Sequence, residues 1–250
     1  MSKTLITRTK KWLKQRGIEW VIWDLDDTLL ETYELFVAKI DKFYKSVCGR
    51  LPSGLSQEDF RKIIYKIIAR VRKRRSVNPI FWQDVIEQLA NKYPDVEPNV
   101  FSDNLSVLLE VYQEASALVP NALEVLKIFR KTKIKMAVLT HASQEWTDIK
   151  LKTHGLSKFF KDVFTASIDD FKGTKHWQEA IASLGVDPKK VLVVGDSVEG
   201  DIRAARKAGV KHLVYVGSSW DLHARGEMPE RVIEVENLEG IFGIFSEQEI

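Results

Sequence analysis

Residues Glu19–Leu30 read EWVIWDLDDTLL, and this stretch decides the fold. Its first part, Glu19–Leu25, is apolar and partly β-branched almost throughout, so it reads as a strand covered on both faces. The apolar run then meets Asp24, Asp26 and Asp27. As simple helix caps, two acids directly ending a buried strand would be an unexplained desolvation cost. They read instead as a site. In open parallel sheets ligands bind at the carboxyl ends of the strands, where these acids stand.

Five further runs repeat the strand pattern: Ile134–Thr140, Val163–Ala166, Lys190–Gly195, His212–Val216 and Val232–Val235. Helical patterns lie between most of them, over Pro120–Thr132, Ser143–His154, Thr174–Leu184 and Glu199–Ala208, three of them stopped by Gly155, Gly185 and Gly209. Alternating strand and helix predicts an α/β fold with a doubly wound, Rossmann-like parallel sheet. One interval breaks the rhythm. More than 100 residues separate the first strand from the second, whereas a crossover needs only about a dozen. Thr32–Val47, Ser56–Arg75, Pro79–Lys92 and Pro98–Leu118 read there as helices. The expected organisation is an α/β catalytic core from 1–30 and 120–250, with an all-helical cap domain inserted at 31–119.

Composition narrows the class. With 44% hydrophobic and 29% charged residues the 250-residue chain is ordinary globular material. A formal charge of +3 gives no reason to expect nucleic acid. The single Cys48 cannot form an internal disulfide, which favours a reducing, cytoplasmic setting. No run approaches the roughly 18 apolar residues of a membrane span. The basic N-terminal KTLITRTKKWLKQRG lacks the apolar segment of a secretory signal. Monomer and homodimer are both compatible with this.

The predicted strand ends carry a coherent chemistry. The first runs into Asp24, Asp26 and Asp27, the second ends at Thr140-His141, a loop after the third holds Lys172 and Lys175, and the fourth ends Gly195-Asp196-Ser197 with Asp201 beyond. A phosphate ester is already an anion, so a nucleophile must be brought in against repulsion. A divalent cation and a lysine neutralise that charge and the charge of the transition state. Mg²⁺ prefers hard oxygen ligands and keeps several waters, so a few carboxylates suffice. Asp24 can attack in line, and Asp26 can protonate the leaving oxygen and then deprotonate water. Thr140 can hydrogen-bond a phosphoryl oxygen.

The order DLDDT (Asp24–Thr28), LTHAS around Thr140, a lysine in the third loop and GDSVEGD (Gly195–Asp201) resembles the four motifs of the haloacid dehalogenase superfamily. The interval between the first two motifs is similar to the helical cap of its first subfamily. The resemblance implies Asp24 as nucleophile and Asp26 as general acid/base. It implies Mg²⁺ held by the Asp24 and Asp196 carboxylates and the Asp26 backbone carbonyl, with Asp201 acting behind them or through water. Thr140 and a lysine would hold the phosphoryl group of a small phosphorylated metabolite. An acid at position 26 argues for phosphate chemistry, because dehalogenation needs no protonated leaving group. A phosphomutase and a catalytically silent binding module with the same fold are the alternatives.

Three points stay open in the sequence. Lys172 directly precedes Gly173 and a plausible cap at Thr174, which favours it over Lys175 as the phosphate lysine. His141 stands where it can touch substrate or cap the next helix. The stretch Arg61–Arg75 holds eight basic residues and no acid. It reads either as a solvated helix face or as a surface that attracts an anionic substrate.

Overall fold

The computed structural model describes residues 3–76, 78–218, 220, 223–224 and 226–245. Helix α1 (Lys3–Gln15) leads into strand β1 (Trp20–Trp23). A helical stretch follows: α2 (Thr32–Val47), α3 (Gln57–Val71), α4 (Ile80–Lys92), α5 (Asn99–Ser102) and α6 (Leu105–Leu109). The chain then alternates through α7 (Ala122–Thr132), β2 (Lys135–Thr140), α8 (Gln144–Thr153), β3 (Asp162–Thr165), α9 (Thr174–Ser183), β4 (Val191–Gly195), α10 (Ala204–Lys207), β5 (His212–Val216), β6 (Ile233–Val235) and α11 (Gly240–Ile244).

All six strands are parallel, in the order β3-β2-β1-β4-β5-β6. The central strand β1 explains why its sequence is apolar throughout. Side chains alternate across a strand. Val21 and Trp23 enter one hydrophobic layer with Trp12 of α1 and Leu126 and Phe129 of α7. Trp20 and Ile22 enter the other, with Trp177 and Ile181 of α9. Trp23 is wholly buried and meets Phe129 edge-on at 5.3 Å. Truncating it to Ala would cost about 3–5 kcal/mol. Trp23 is in register with Val138 of β2 and Val194 of β4. Asp24, Thr140 and Asp196 therefore leave the sheet along one edge.

The chain forms two compact units. The first comprises residues 1–31, 117–167 and 171–250 and contains the whole sheet. The second comprises residues 32–116 with 168–170. This helical unit packs an aromatic interior, with Phe36 against Trp82 at 5.6 Å and Tyr44 against Phe60 at 5.3 Å. Residues 168–170 belong to it through Ser76, which donates to the Asp170 carbonyl at 2.6 Å, and Asn78, which donates to Asp169 at 2.9 Å. In the basic stretch, Arg61 pairs with Asp41 and Arg75 with Asp84.

Two expected helices are corrected. Pro98–Leu118 is not one helix but α5, α6 and a 3₁₀ turn at Glu110–Tyr112. Its end is pulled straight because Leu118 bridges Leu30 and the Val119 amide donates to the Leu29 carbonyl at 3.0 Å. The segment at Glu199–Ala208 opens with a π-helical turn, Val198–Arg203, before α10.

Candidate active site

The site is built from the segments that follow β1, β2, β3, β4 and β5. Beyond Trp23 the Asp24 amide still donates to the Val194 carbonyl at 2.9 Å, so the ladder carries Asp24 into the interior, where it is 3% exposed. The chain then reverses tightly. Asp27 takes a left-handed conformation (φ 59°), its amide donates to the Leu30 carbonyl at 2.7 Å, and the Leu30 amide donates to Leu25 at 3.0 Å. Aspartate tolerates that conformation better than most side chains, which gives Asp27 a structural reason to follow Asp26.

Lys172 organises the Asp24 side. Its ammonium donates to Asp24 Oδ1, lies 2.6 Å from Asp201 Oδ1, and reaches the Leu139 carbonyl at 3.4 Å. All three charged groups are buried. Lys175 stands apart: its side chain is 78% exposed on α9 and lies 3.8 Å from Glu179. Asp201 is held by both oxygens, since the Ser197 amide donates to Oδ2 at 3.0 Å. Gly195 makes that approach possible, because a Cβ there would lie 2.6 Å from the Asp201 carboxyl carbon. The π-helical turn adds a residue to the first coil, and Ser197 caps it by accepting from the Gly200 amide at 3.0 Å.

Asp196 is 1% exposed. Its Oδ2 accepts from Ser218 at 2.6 Å and lies 2.8 Å from His223 Nδ1. Asp26 has two further partners. Thr140 donates to Oδ2 at 3.2 Å, and Lys150 of α8 donates to Oδ1 at 2.5 Å. His141 is half-buried in the bend after β2.

The charges do not balance by themselves. Of three buried carboxylates, Asp24 and Asp201 share the one ammonium of Lys172, while Asp196 meets Ser218 and His223. Burial, together with Asp201 and Asp196, pushes the Asp24 carboxyl well above its usual range, although Lys172 opposes this. Asp201 is raised in the same way, by burial first. Burial would lower the Lys172 ammonium, but Asp201 and Asp24 outweigh it and raise it on balance. Three buried carboxylates gathered around one lysine suit a divalent cation, which would favour their ionised forms. Oxygens of Asp24, Asp196 and Asp201 lie within 4.8 Å of one another, and so do ligand atoms of Asp27, Asp196 and His223. Such hard oxygen donors suit Mg²⁺.

Lys150, Ser218 and His223 escape the reading of the sequence. Lys150 had one available signal: it follows Trp146 by four residues and Thr147 by three, both buried, so it occupies the inward face of α8.

A parallel sheet with helices on both faces and a carboxylate–lysine cluster at its carboxyl edge fits a hydrolase with a Rossmann-like core. The description "haloacid dehalogenase-like hydrolase" matches residues 18–209, well over half the chain, and the chain belongs to that family. Among curated proteins it is similar to the pyrophosphatase PpaX of Bacillus pumilus, at 24% identity over 84% of this chain and 87% of that protein. It is also similar to the phosphoglycolate phosphatase of Pseudomonas putida, at 26% identity over 76% of this chain and 66% of that protein. A crystal structure of a haloacid dehalogenase-like family hydrolase from Xanthomonas campestris superposes with a TM-score of 0.71, at 16% identity, covering 92% of this chain and 91% of that one. Among the described residues no helix is long and apolar enough to cross a membrane.

Proposed function

We propose that this protein is a Mg²⁺-dependent phosphatase that hydrolyses a small phosphorylated metabolite through a phospho-aspartyl intermediate on Asp24. The observation that carries this reading is the contact of Lys172 with Asp24 and Asp201, beside Asp26 and Thr140. One buried ammonium fixes the nucleophile and neutralises the incoming phosphoryl group. Asp24, Asp196 and the Asp26 carbonyl would hold Mg²⁺, with Asp201 behind them. When bound, the ion would offset the negative charge that raises Asp24 and keep its carboxylate ionised.

The Asp24 carboxylate then attacks phosphorus, and the bond to the leaving oxygen breaks with its electron pair on that oxygen. Asp26 supplies the proton. In the second half Asp26 takes a proton from water, the water oxygen attacks phosphorus, and Asp24 departs as carboxylate. Thr140 holds a phosphoryl oxygen meanwhile. The names of the relatives, a pyrophosphatase and a phosphoglycolate phosphatase, support small phosphorylated substrates and leave ester and anhydride both to be assayed. Lys175, exposed on α9, is assigned no contact with substrate.

The test is phosphate release from p-nitrophenyl phosphate and a panel of phosphorylated metabolites, with Mg²⁺ or with EDTA. Activity should require Mg²⁺, vanish in Asp24→Asn, and be blocked by beryllium fluoride. Undiminished turnover in EDTA, or by Asp24→Asn, would refute the mechanism.

A further inference from the structure

Lys150 has no part in the chemistry just described, yet it is placed where chemistry happens. Its side chain is 0% exposed, which is rare for lysine and costly unless the charge is met. The helix α8 that carries it is fixed at its start, where Ser143 accepts from the Trp146 amide at 3.2 Å and Thr147 donates to the Ser143 carbonyl at 2.8 Å. The ammonium lies 3.1 Å from the centre of the Trp146 ring, one helical turn back. Its carboxylate contact is Asp26 Oδ1, at 2.5 Å.

We propose that Lys150 is a positioning residue that holds Asp26 by one oxygen and so dedicates the other to proton transfer. The inference rests on the phosphatase reading of the site above. An ammonium has only protons to offer and accepts none. The oxygen facing it must therefore act as an acceptor whether Asp26 is an acid or a carboxylate. The transferable proton belongs on Oδ2, the oxygen beside Thr140. The Thr140 hydroxyl has one proton, which it donates to Oδ2 in the resting site and turns to a phosphoryl oxygen when substrate binds, leaving Oδ2 to face the departing oxygen. In the first half of the reaction the proton leaves Oδ2 for the departing oxygen as the P–O bond breaks. In the second half a water proton returns to Oδ2 while the water oxygen forms the new bond to phosphorus. Burial lowers the Lys150 ammonium from its ordinary value, and the facing Asp26 carboxylate opposes that. Without it, Asp26 can turn, and either oxygen can carry the proton in an orientation that misses the leaving group.

The experiment compares kcat/KM for two substrates in wild type, Lys150→Met and Asp26→Asn. Glycerol 2-phosphate has an alkoxide leaving group that needs a proton. p-Nitrophenyl phosphate has one that leaves without it. Since kcat/KM reports through the first irreversible step, the second substrate isolates attack by Asp24. Lys150→Met should lose on the order of tenfold to a hundredfold on glycerol 2-phosphate, part of the general-acid contribution. On p-nitrophenyl phosphate it should stay within about threefold. Asp26→Asn should show the same skew more strongly, and the double variant should be no worse than Asp26→Asn alone. Equal losses on both substrates, or no loss on either, would overturn the proposal. If Lys150→Met does not fold, Lys150→Gln, with one donor retained, is measured in its place and must show the same direction of skew. An active Asp24→Asn protein would mean instead that the reading of the site itself has failed.

Discussion

The two units of this chain bury charge in opposite ways. In the helical unit Lys39 is 7% exposed, yet it meets Glu110 at 2.8 Å and Glu114 at 2.6 Å, and Glu110 is met again by Lys42 at 2.7 Å. Two lysines answer two glutamates. Burial alone would lower the Lys39 ammonium, but its hydrogen bonds to Glu110 and Glu114 raise it on balance. In the sheet unit Lys172 answers both Asp24 and Asp201, Asp196 meets Ser218 and His223 instead, and burial pushes the carboxyl of Asp24 up. The first arrangement is settled within the fold. The second holds an electrostatic excess that a cation and a phosphoryl group can use.

The comparison breaks most visibly at Asp24. Asp24→Asn should lower kcat by at least about a thousandfold, because the proposed nucleophile is lost. In EDTA the same variant should melt no lower than wild type, since function-bearing sites are held at a cost in stability. The sign follows from linkage. A carboxyl raised in the folded state above its ordinary 3.8 makes the metal-free protein less stable as pH climbs through that window. The asparagine variant should therefore lose less stability between pH 4 and pH 7, by thermal melts, and a steeper loss would contradict the assignment of strain to Asp24.

The next effect separates the two candidate lysines. Lys172→Ala removes the only ammonium on Asp24 in the described contacts and should cost about 3 kcal/mol, near a hundredfold in kcat/KM. Lys175→Ala should stay within about twofold. A large loss at Lys175 would reverse the reading.

In the helical unit the expected effect is on stability. Lys39→Met leaves Glu114 without its lysine and should cost about 1–2 kcal/mol in urea melts, since its acids remain partly exposed to water. Turnover of p-nitrophenyl phosphate should not change. A loss of activity without a loss of stability would mean that this pair is not merely structural.

The smallest effect belongs to the exposed part of the basic stretch. Lys73→Glu with Arg74→Glu should leave p-nitrophenyl phosphate kinetics intact. If these residues steer an anionic substrate, its kcat/KM should drop about threefold and its salt dependence should flatten. Unchanged salt dependence would leave them as a solvated face.

Much of this molecule is legible in one dimension because its signals are local. Strand burial on both faces shows as unbroken apolar runs, and the strand ends show as acids that interrupt them. Ser56, Ser143 and Ser197 each cap the turn that follows them, since a hydroxyl needs only the amides two or three residues away. The order of Asp24, Asp26, Thr140 and Asp196 along the chain becomes a cluster once the strands lie parallel and in register. What the sequence left open was decided by distance across the fold. Pro98–Leu118 has a helical pattern, but pairing of Leu118 with Leu30 straightens its end. The sequence favours Lys172 over Lys175 from its place before Gly173, and the packed loop after β3 puts that ammonium on Asp24 and leaves Lys175 in water. Lys150 is the plainest case. A lysine on a helix reads as a solvent-facing residue, because its charge is cheapest there. Its burial is stable only with a carboxylate to meet it, and Asp26 lies 124 positions away in the chain. Local patterns fix which elements form, whereas the pairing of distant charges exists only after those elements pack.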